Sequence, residues 1–426
     1  MRLVLTGFIL TLSSAFCASW AQGPLTPPSG APGPVMRTLD QVEPRIPIDS
    51  VPIVIDQPGS YYLTGNLDAG ANTAITITAP DVSLDLMGFT LSGIGLDGVF
   101  VDGPTGGTLP GAVIRNGKID GFAYGVRLRH SSGSLIEDLR ITGASDSGIN
   151  LLSSQAGSQT KGNVIRNCVL AKNRYGVFFN VGSNAEISGN RIIDTVITDN
   201  EASGIEWLAT TGGRIWNNIV EGCTVTANGH VQSSNSYGIH LRPSGGEIVG
   251  NRFENCTIVF NRGRGVQIDP RNGGVFKDQV FRGNTIHNHD NAGMIIAVSL
   301  SNGSIDGLQV SDNVVSWNRF NGGIRSFDPA GISMEQLHVQ NNVMADNGVG
   351  TANANLRIIS NRGTVTGNHV SGATTHGLNI DGASRMVVAK NSVFGEPFSI
   401  TGDSTYGPII ESMPLPNNPW ANFRLE

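Results

Sequence analysis

Residues 165–177, IRNCVLAKNRYGV, and residues 192–205, IIDTVITDNEASGI, are two versions of one pattern. Each opens on an apolar residue, Ile165 or Ile192. Two positions on comes Asn167 or Asp194, then a small residue, Cys168 or Thr195, then an apolar residue two further along, Leu170 or Ile197. A Gly-Val or Gly-Ile pair follows the small residue by eight or nine positions, at Gly176 and Gly204. Asn, Asp and Gly are the residues that tolerate a left-handed backbone, so Asn167 and Asp194 predict a sharp turn between two short strands. Strand side chains alternate, which puts the small residue and the apolar residue two beyond it on one face. The other members of that face are Ile, Val, Leu and Met, so it points inward and takes the small residue with it.

The pattern continues in both directions. The small-residue position is filled in turn by Phe89, Gly117, Leu139, Cys168, Thr195, Cys223, Cys256, Asn284, Asn313, Asn342, Asn368 and Asn391, at spacings of 22 to 33 residues and mostly near 28. The residues three before and two after it are apolar in all twelve repeats. The residue immediately before is Gly, Asn or Asp in eleven of them, with Lys390 the exception. Later in most repeats a glycine followed by an apolar residue, such as Gly238-Ile239 or Gly265-Val266, opens another strand. We read each repeat as about three short strands and three turns. Such units bury their inner faces on their neighbours, which is the logic of a solenoid. A β-sandwich would not hold these offsets through twelve repeats. Stacked Asn side chains satisfy one another by amide-to-carbonyl hydrogen bonds.

The repeats resemble the bacterial right-handed β-helix repeat family of the pectin-lyase-like superfamily. The resemblance rests on elements such as Gly265-Val266-Gln267-Ile268 and Asn342-Val343-Met344, and on the segments 58–67, PGSYYLTGNL, and 81–91, DVSLDLMGFTL. It spans roughly residues 50–400. It implies an all-β fold, a single right-handed parallel β-helix of about twelve coils, in keeping with the right-handed crossover preference. The superfamily includes polysaccharide lyases, glycoside hydrolases, epimerases, tailspikes and adhesins, so fold alone does not choose a function.

Composition narrows the choice. The 28 Lys and Arg against 34 Asp and Glu leave a net charge of −6 and no basic excess for nucleic acid. Residues 1–21 read as a signal peptide, with Arg2 before an apolar run and Ser19 and Ala21 at the positions a peptidase reads. Past them no apolar run is long enough to span a membrane. A secreted, periplasmic or cell-surface protein is expected. Residues 22–50 are a Pro-rich linker, 51–401 the β-helix with 51–80 forming the N-terminal cap and first coils, and 402–426 a capping tail that Trp420 and Phe423 suggest is packed. Cys168, Cys223 and Cys256 fall in the inward ladder as buried thiols. Cys223 and Cys256 occupy successive coils, and a spacing of about 4.8 Å leaves a bridge between them open.

Candidate chemistry lies on the outward residues of the strands that follow each glycine. Glu206, His240, Arg242, Gln267 and Asp269 fall on three successive coils, with Arg271 placed to lean over them. A lyase needs a base for the proton beside a carboxylate and a cation for the enolate, which casts His240 or an arginine as base and Arg242 or Arg271 as the uronate partner. A hydrolase would instead use Glu206 and Asp269, whose two-coil separation of about 10 Å suits only an inverting mechanism. Arg127, Arg129, Phe178, Gln267 and Arg325 are candidate substrate-binding residues, and Phe100, Phe178 and Phe327 are expected to be exposed for sugar stacking. The metal-binding signal is weak: His287, His289 and Asp290 read as a solvated turn, no calcium-binding Asp cluster is evident, and no cofactor is expected. The reading is an exported protein that binds, and as an enzyme would cleave, a polysaccharide. The alternative is a non-catalytic surface or adhesin-like β-helix. Ile197→Asn tests the register: burying that side chain is worth roughly 1.5–3 kcal/mol, and the amide adds an unpaired polar group. A sharply lowered melting temperature is expected, and a variant melting like the parent would refute the inward placement.

Overall fold

One full coil runs through four strands, Val164–Arg166, Val169–Ala171, Tyr175–Val181 and Glu186–Ser188. Each pairs in parallel with its counterpart one coil on, Arg191–Ile193, Val196–Thr198, Ser203–Ala209 and Arg214–Trp216. The computed structural model describes residues 44–229, 236–297, 302–327, 334–348, 354–372, 375–411 and 418–425. Among them are forty-nine strands and no helix, and the fold is a parallel β-helix. The signal segment 1–21 and the linker as far as residue 43 lie outside the described residues.

The turns explain the repeat. All twelve residues before the ladder positions, Lys390 included, have positive φ. A second column of single-residue left-handed turns runs through Lys172, Asp199, Ala227, Phe260, Asn288, Trp317 and Asp346, and a third through Gly162, Gly189, Asn217, Gly250, Asp278 and Gly307. Three of the four corners of a central coil are therefore made the same way. The fourth strand corrects the reading of three strands per repeat. It contributes one inward side chain per coil, such as Ile187, Ile215, Ile248, Phe276 or Ile305, too short a signal for alternation to reveal.

The apolar flanks identified from the sequence are all buried, from Leu86 and Leu91 to Val388 and Val393. Among the ladder residues, Leu139 through Asn391 are buried and Phe89 and Gly117 are half-buried. Asn284, Asn313, Asn342, Asn368, Asn391 and Asn422 form one continuous amide ladder. Each Nδ2 donates to the next Oδ1 at 2.9–3.0 Å and each backbone N–H donates to the same oxygen. Two further ladders stand behind the other turn columns: Asn163, Asn190, Asn218, Asn251 and Gln279, and Asn173, Asn200, Asn228, Asn261, His289, Asn318, Asn347 and Asn355.

His289 is thus a core residue, which corrects its placement in a solvated turn. Its Nδ1 accepts from the Asn261 N–H at 3.2 Å and its Nε2 faces the Ile258 carbonyl at 3.0 Å. A carbonyl can only accept, so Nε2 carries the proton and the ring is neutral.

The ends also differ from the expected boundaries. Ile46–Ile48 already pairs in parallel with Tyr61–Leu63, inside the segment read as linker. At the other end Phe398–Tyr406 and Asn422–Leu425 extend the sheets. Phe423 is half-buried, whereas Trp420 remains 61% exposed with the Lys390 ammonium over its ring at 5.2 Å. Cys168, Cys223 and Cys256 are free and buried. The Cys223 thiol is pushed well up, by its hydrogen bond with Cys256 and then by burial.

Two predictions follow from this interior. Burial pushes the Cys168 thiol up to about 12, so alkylation in the native state is expected to be negligible and to appear only on unfolding; rapid native labelling would contradict the placement. Burial lowers the His289 pKa to about 3, against about 6.5 in the unfolded chain. Between those values the unfolded state holds the extra proton, so stability falls as pH falls, by up to about 1.4 kcal/mol per unit. His289→Asn, which restores the ladder amide, is expected to flatten that slope in urea unfolding between neutral and acidic pH; an unchanged slope would count against the neutral buried ring.

Candidate functional site

The long strand of each coil carries the outward residues, and a glycine at its start decides how they are presented. A Cβ on Gly176 would stand 2.3 Å from Ile197 Cγ2, and one on Gly204 would stand 2.6 Å from Val225 Cγ1. The chain turns its corner hard against an inward side chain of the following coil, and no larger residue fits. Past that corner the core locks the strand. Trp207 is fully buried between Phe179, stacked at 4.7 Å, and Phe253 at 5.0 Å. Its sequence neighbour Glu206 is held outward as a result.

Register then assembles the site. Arg127, Asn150, Phe178, Glu206, His240 and Gln267 are successive partners across coils, and Arg129, Leu152, Asn180, Leu208 and Arg242 form the neighbouring column. Glu206 and His240 therefore lie side by side. Glu206 Oε2 accepts from His240 Nδ1 at 3.0 Å and from Ser203 Oγ at 3.1 Å. Its Oε1 faces Arg242 Nη2 at 3.3 Å. A carboxylate that only accepts places an imidazole proton on Nδ1, so that in the neutral ring the lone pair is on Nε2. His240 Nε2 is buried and has no hydrogen-bond partner among the described residues.

These residues point outward, as expected from the sequence, but they are not exposed. Glu206, His240, Gln267 and Asp269 are 3–5% exposed. Longer side chains fold over them and leave a cleft of about 280 Å³. Glu206 and His240 form part of its wall together with Ser203, Tyr175 and Tyr237, while Arg174, Arg242 and Arg271 supply three cations. The Tyr237 and His240 rings are 4.3 Å apart. Burial raises the pKa of both tyrosines, and the Glu206 charge raises them further. Both phenols stay protonated at neutral pH.

The other sequence candidates separate. Arg271 does lean over the group, with its Nε donating to Asp269 Oδ2 at 2.7 Å, and that bond raises its pKa. Asp269 does not line the cleft, so the Glu206–Asp269 pair of a hydrolase does not share one space. Gln267 accepts from Arg264 at 2.7 Å. Arg127 and Arg129 pair with Asp97 and Asp102, each at 2.6 Å, and lie over Phe100 at 4.1 and 4.9 Å. Phe100 is covered by them, not exposed. Phe178 is half-buried, 5.2 Å from Tyr175. Arg325 lies four coils beyond Glu206 and donates to Asn321 at 3.3 Å. The Phe327 side chain lies outside the described residues. Among the described residues no three His, Cys, Asp or Glu side chains converge as a metal site.

Tyr175, Ser203 and Tyr237 were missed in the sequence because the outward columns were read from the residue after each glycine. All three stand immediately before one, at the corner that throws them outward.

The family described as the right-handed β-helix region matches residues 86–225 and 217–394. No curated protein matches the chain. Among solved structures it is similar to the A-module of the mannuronan C-5 epimerase AlgE4 of Azotobacter vinelandii, at 13% identity and a TM-score of 0.42, covering 82% of this chain and 90% of that one. It is also similar to the Dettilon tailspike protein, at 16% identity and a TM-score of 0.47, covering 81% and 61%. A third, the periplasmic alginate epimerase AlgG, has 13% identity and a TM-score of 0.46, covering 80% and 77%.

Proposed function

The chain belongs to the right-handed β-helix family, and we propose that its lateral cleft binds a uronate-bearing polysaccharide and removes the proton beside the sugar carboxylate. The observation that carries this is a cleft-lining imidazole held by Glu206 at 3.0 Å through Nδ1, with its buried Nε2 unpartnered among the described residues, so that substrate reaches Nε2 where the covering arginine side chains swing aside. In this reading Nε2 takes the carbon-bound proton, and Glu206 stabilises the imidazolium that forms. Arg242 and Arg271 pair with the sugar carboxylate and hold the charge that builds as the enolate develops. In an elimination, the bond to the leaving sugar oxygen breaks as the enolate collapses, and that oxygen takes a proton from a phenol such as Tyr175. In an epimerisation, such a phenol instead gives its proton to the same carbon from the opposite side, and the phenolate is reprotonated from water. The signal segment read at residues 1–21 would bring the protein to exported glycans.

The test is incubation of the purified protein with acidic and neutral polysaccharides in deuterated water. The expected outcome is deuterium uptake at the carbon beside the carboxylate; elimination would add ultraviolet absorbance and new reducing ends. His240→Ala and Glu206→Gln are expected to lower the rate by about 10²–10⁴ while the protein stays folded. Reducing ends without absorbance or deuterium uptake would favour hydrolysis, and binding without any turnover would make this a non-catalytic glycan-binding solenoid.

A further inference from the structure

The second strand of each coil, Val169–Ala171 in the central coil, presents a face unlike the other three. Ion pairs such as Glu137–Arg166, Glu206–Arg242 and Arg214–Glu247 mark the outward faces of the first, third and fourth strands. On the second strand, the two outward positions of consecutive coils from Val169 and Ala171 to Ser392 and Phe394 hold only Val, Thr, Ser, Ala, His and Phe. No Asp, Glu, Lys or Arg interrupts this face over roughly 40 Å, at about 4.8 Å per coil. It is open: Val196, Val314 and Val343 are 37–42% exposed. The corner leading to the third strand adds two apolar side chains, Phe260 and Trp317, 56% and 60% exposed. Both hold left-handed backbone, at φ 55° and 57°, in a column otherwise filled by Lys, Asp, Ala, Asn and Gly. A bulky residue is disfavoured there, and a ring left in water gains no burial to offset it.

We infer that this face docks a second copy of the chain, sheet against sheet, about a two-fold axis. A face without charge offers a charged partner nothing to pair with, and the uncharged face of equal length and period is its own. Flat β faces pack about 10 Å apart with their side chains interdigitated. About five residues wide with its two corners, the face offers roughly 600–800 Å² per copy, so a pair buries about 1,200–1,600 Å², the range of specific interfaces. An axis along the strand direction through the coil of Thr285 runs the two solenoids antiparallel and makes the contact isologous. Thr257 of one copy then faces Val314 of the other, and Phe260 faces Trp317, so each strained ring gains a ring to cover it. The corners agree as well. Asp194 meets Gly367, Asp312 meets Asn255, Asp199 meets Gly372 and Asp346 meets Ala227, so no like charges are opposed. The inference is independent of the chemistry assigned to the cleft, which lies on the third strand's face.

The experiment is sedimentation equilibrium of the full chain at about 1–100 μM, the range in which an interface of this size associates. The wild-type protein is expected to reach twice the chain mass at the upper end and to fall toward one chain on dilution. Val314→Lys and Thr257→Glu, both at exposed positions, are each expected to weaken association by at least about tenfold. The double variant Thr257→Glu/Val314→Lys is expected to recover most of it, because the antiparallel axis sets those two positions against each other across the pair. Far-ultraviolet dichroism establishes that all three variants are folded. A wild-type protein that stays monomeric throughout, or a dimer that Val314→Lys leaves intact, overturns the inference. A double variant no better than the single ones overturns the antiparallel axis. A monomer that adsorbs to insoluble polysaccharide, and loses that with Trp317→Ala, overturns the second copy in favour of a glycan on this face.

Discussion

The left-handed residue at three of the four corners of a central coil is the constraint on which the rest depends. It reverses the chain in one step and leaves the next residue pointing inward beneath the turn. That residue is cut off from water and must satisfy its polar groups within the protein. Asparagine does this because one amide offers both a donor and an acceptor, and an identical residue one coil away offers the complementary pair. The amides therefore stack into ladders, and the ladders hold adjacent coils in register. Where another residue enters, it has to meet the same demand. His289 does so with one ring nitrogen accepting and the other donating. Cys168 and Cys223 point their thiols at backbone carbonyls.

Register, once held, turns a repeat into a site. Glu206 and His240 are 34 residues apart in the chain and hydrogen-bonded in the fold. A buried carboxylate needs partners: Glu206 has Ser203, His240 and Arg242 around it, and Asp269 takes Arg271. The same pairing that makes burial tolerable orients the imidazole. Behind the strand, the stacked rings of Phe179 and Trp207 leave little freedom for Glu206 to move. Rigid backing, oriented imidazole and cationic rim arise from the packing of consecutive coils, not from a separate catalytic loop.

The arginine-rich coils nearer the N-terminus use the same residue types differently. Arg127 meets Asp97, a carboxyl whose pKa burial raises even with that arginine beside it, and lies over Phe100 and Tyr124. Most of its surface is spent on these contacts. Arg242 and Arg271 keep 31% and 43% of their side chains exposed and face open space. Arginines of the same outward face thus differ in what lies beside them.

The sequence alone determined the parallel coils, the positions of the turns and the inward set, because these are local: a left-handed residue and strand alternation are written within six residues of chain. It also grouped Glu206, His240, Arg242, Asp269 and Arg271 on neighbouring coils, since a known repeat converts sequence distance into height. Tertiary structure alone decided that this group is a buried cleft and not a solvated strip, that Tyr175, Ser203 and Tyr237 complete it, that Asp269 stands outside it, and that His289 lies in the core. Burial at those positions comes from side chains leaning across from the coil above or below. How far each leans is set by packing between residues some 30 positions apart, which no local pattern records.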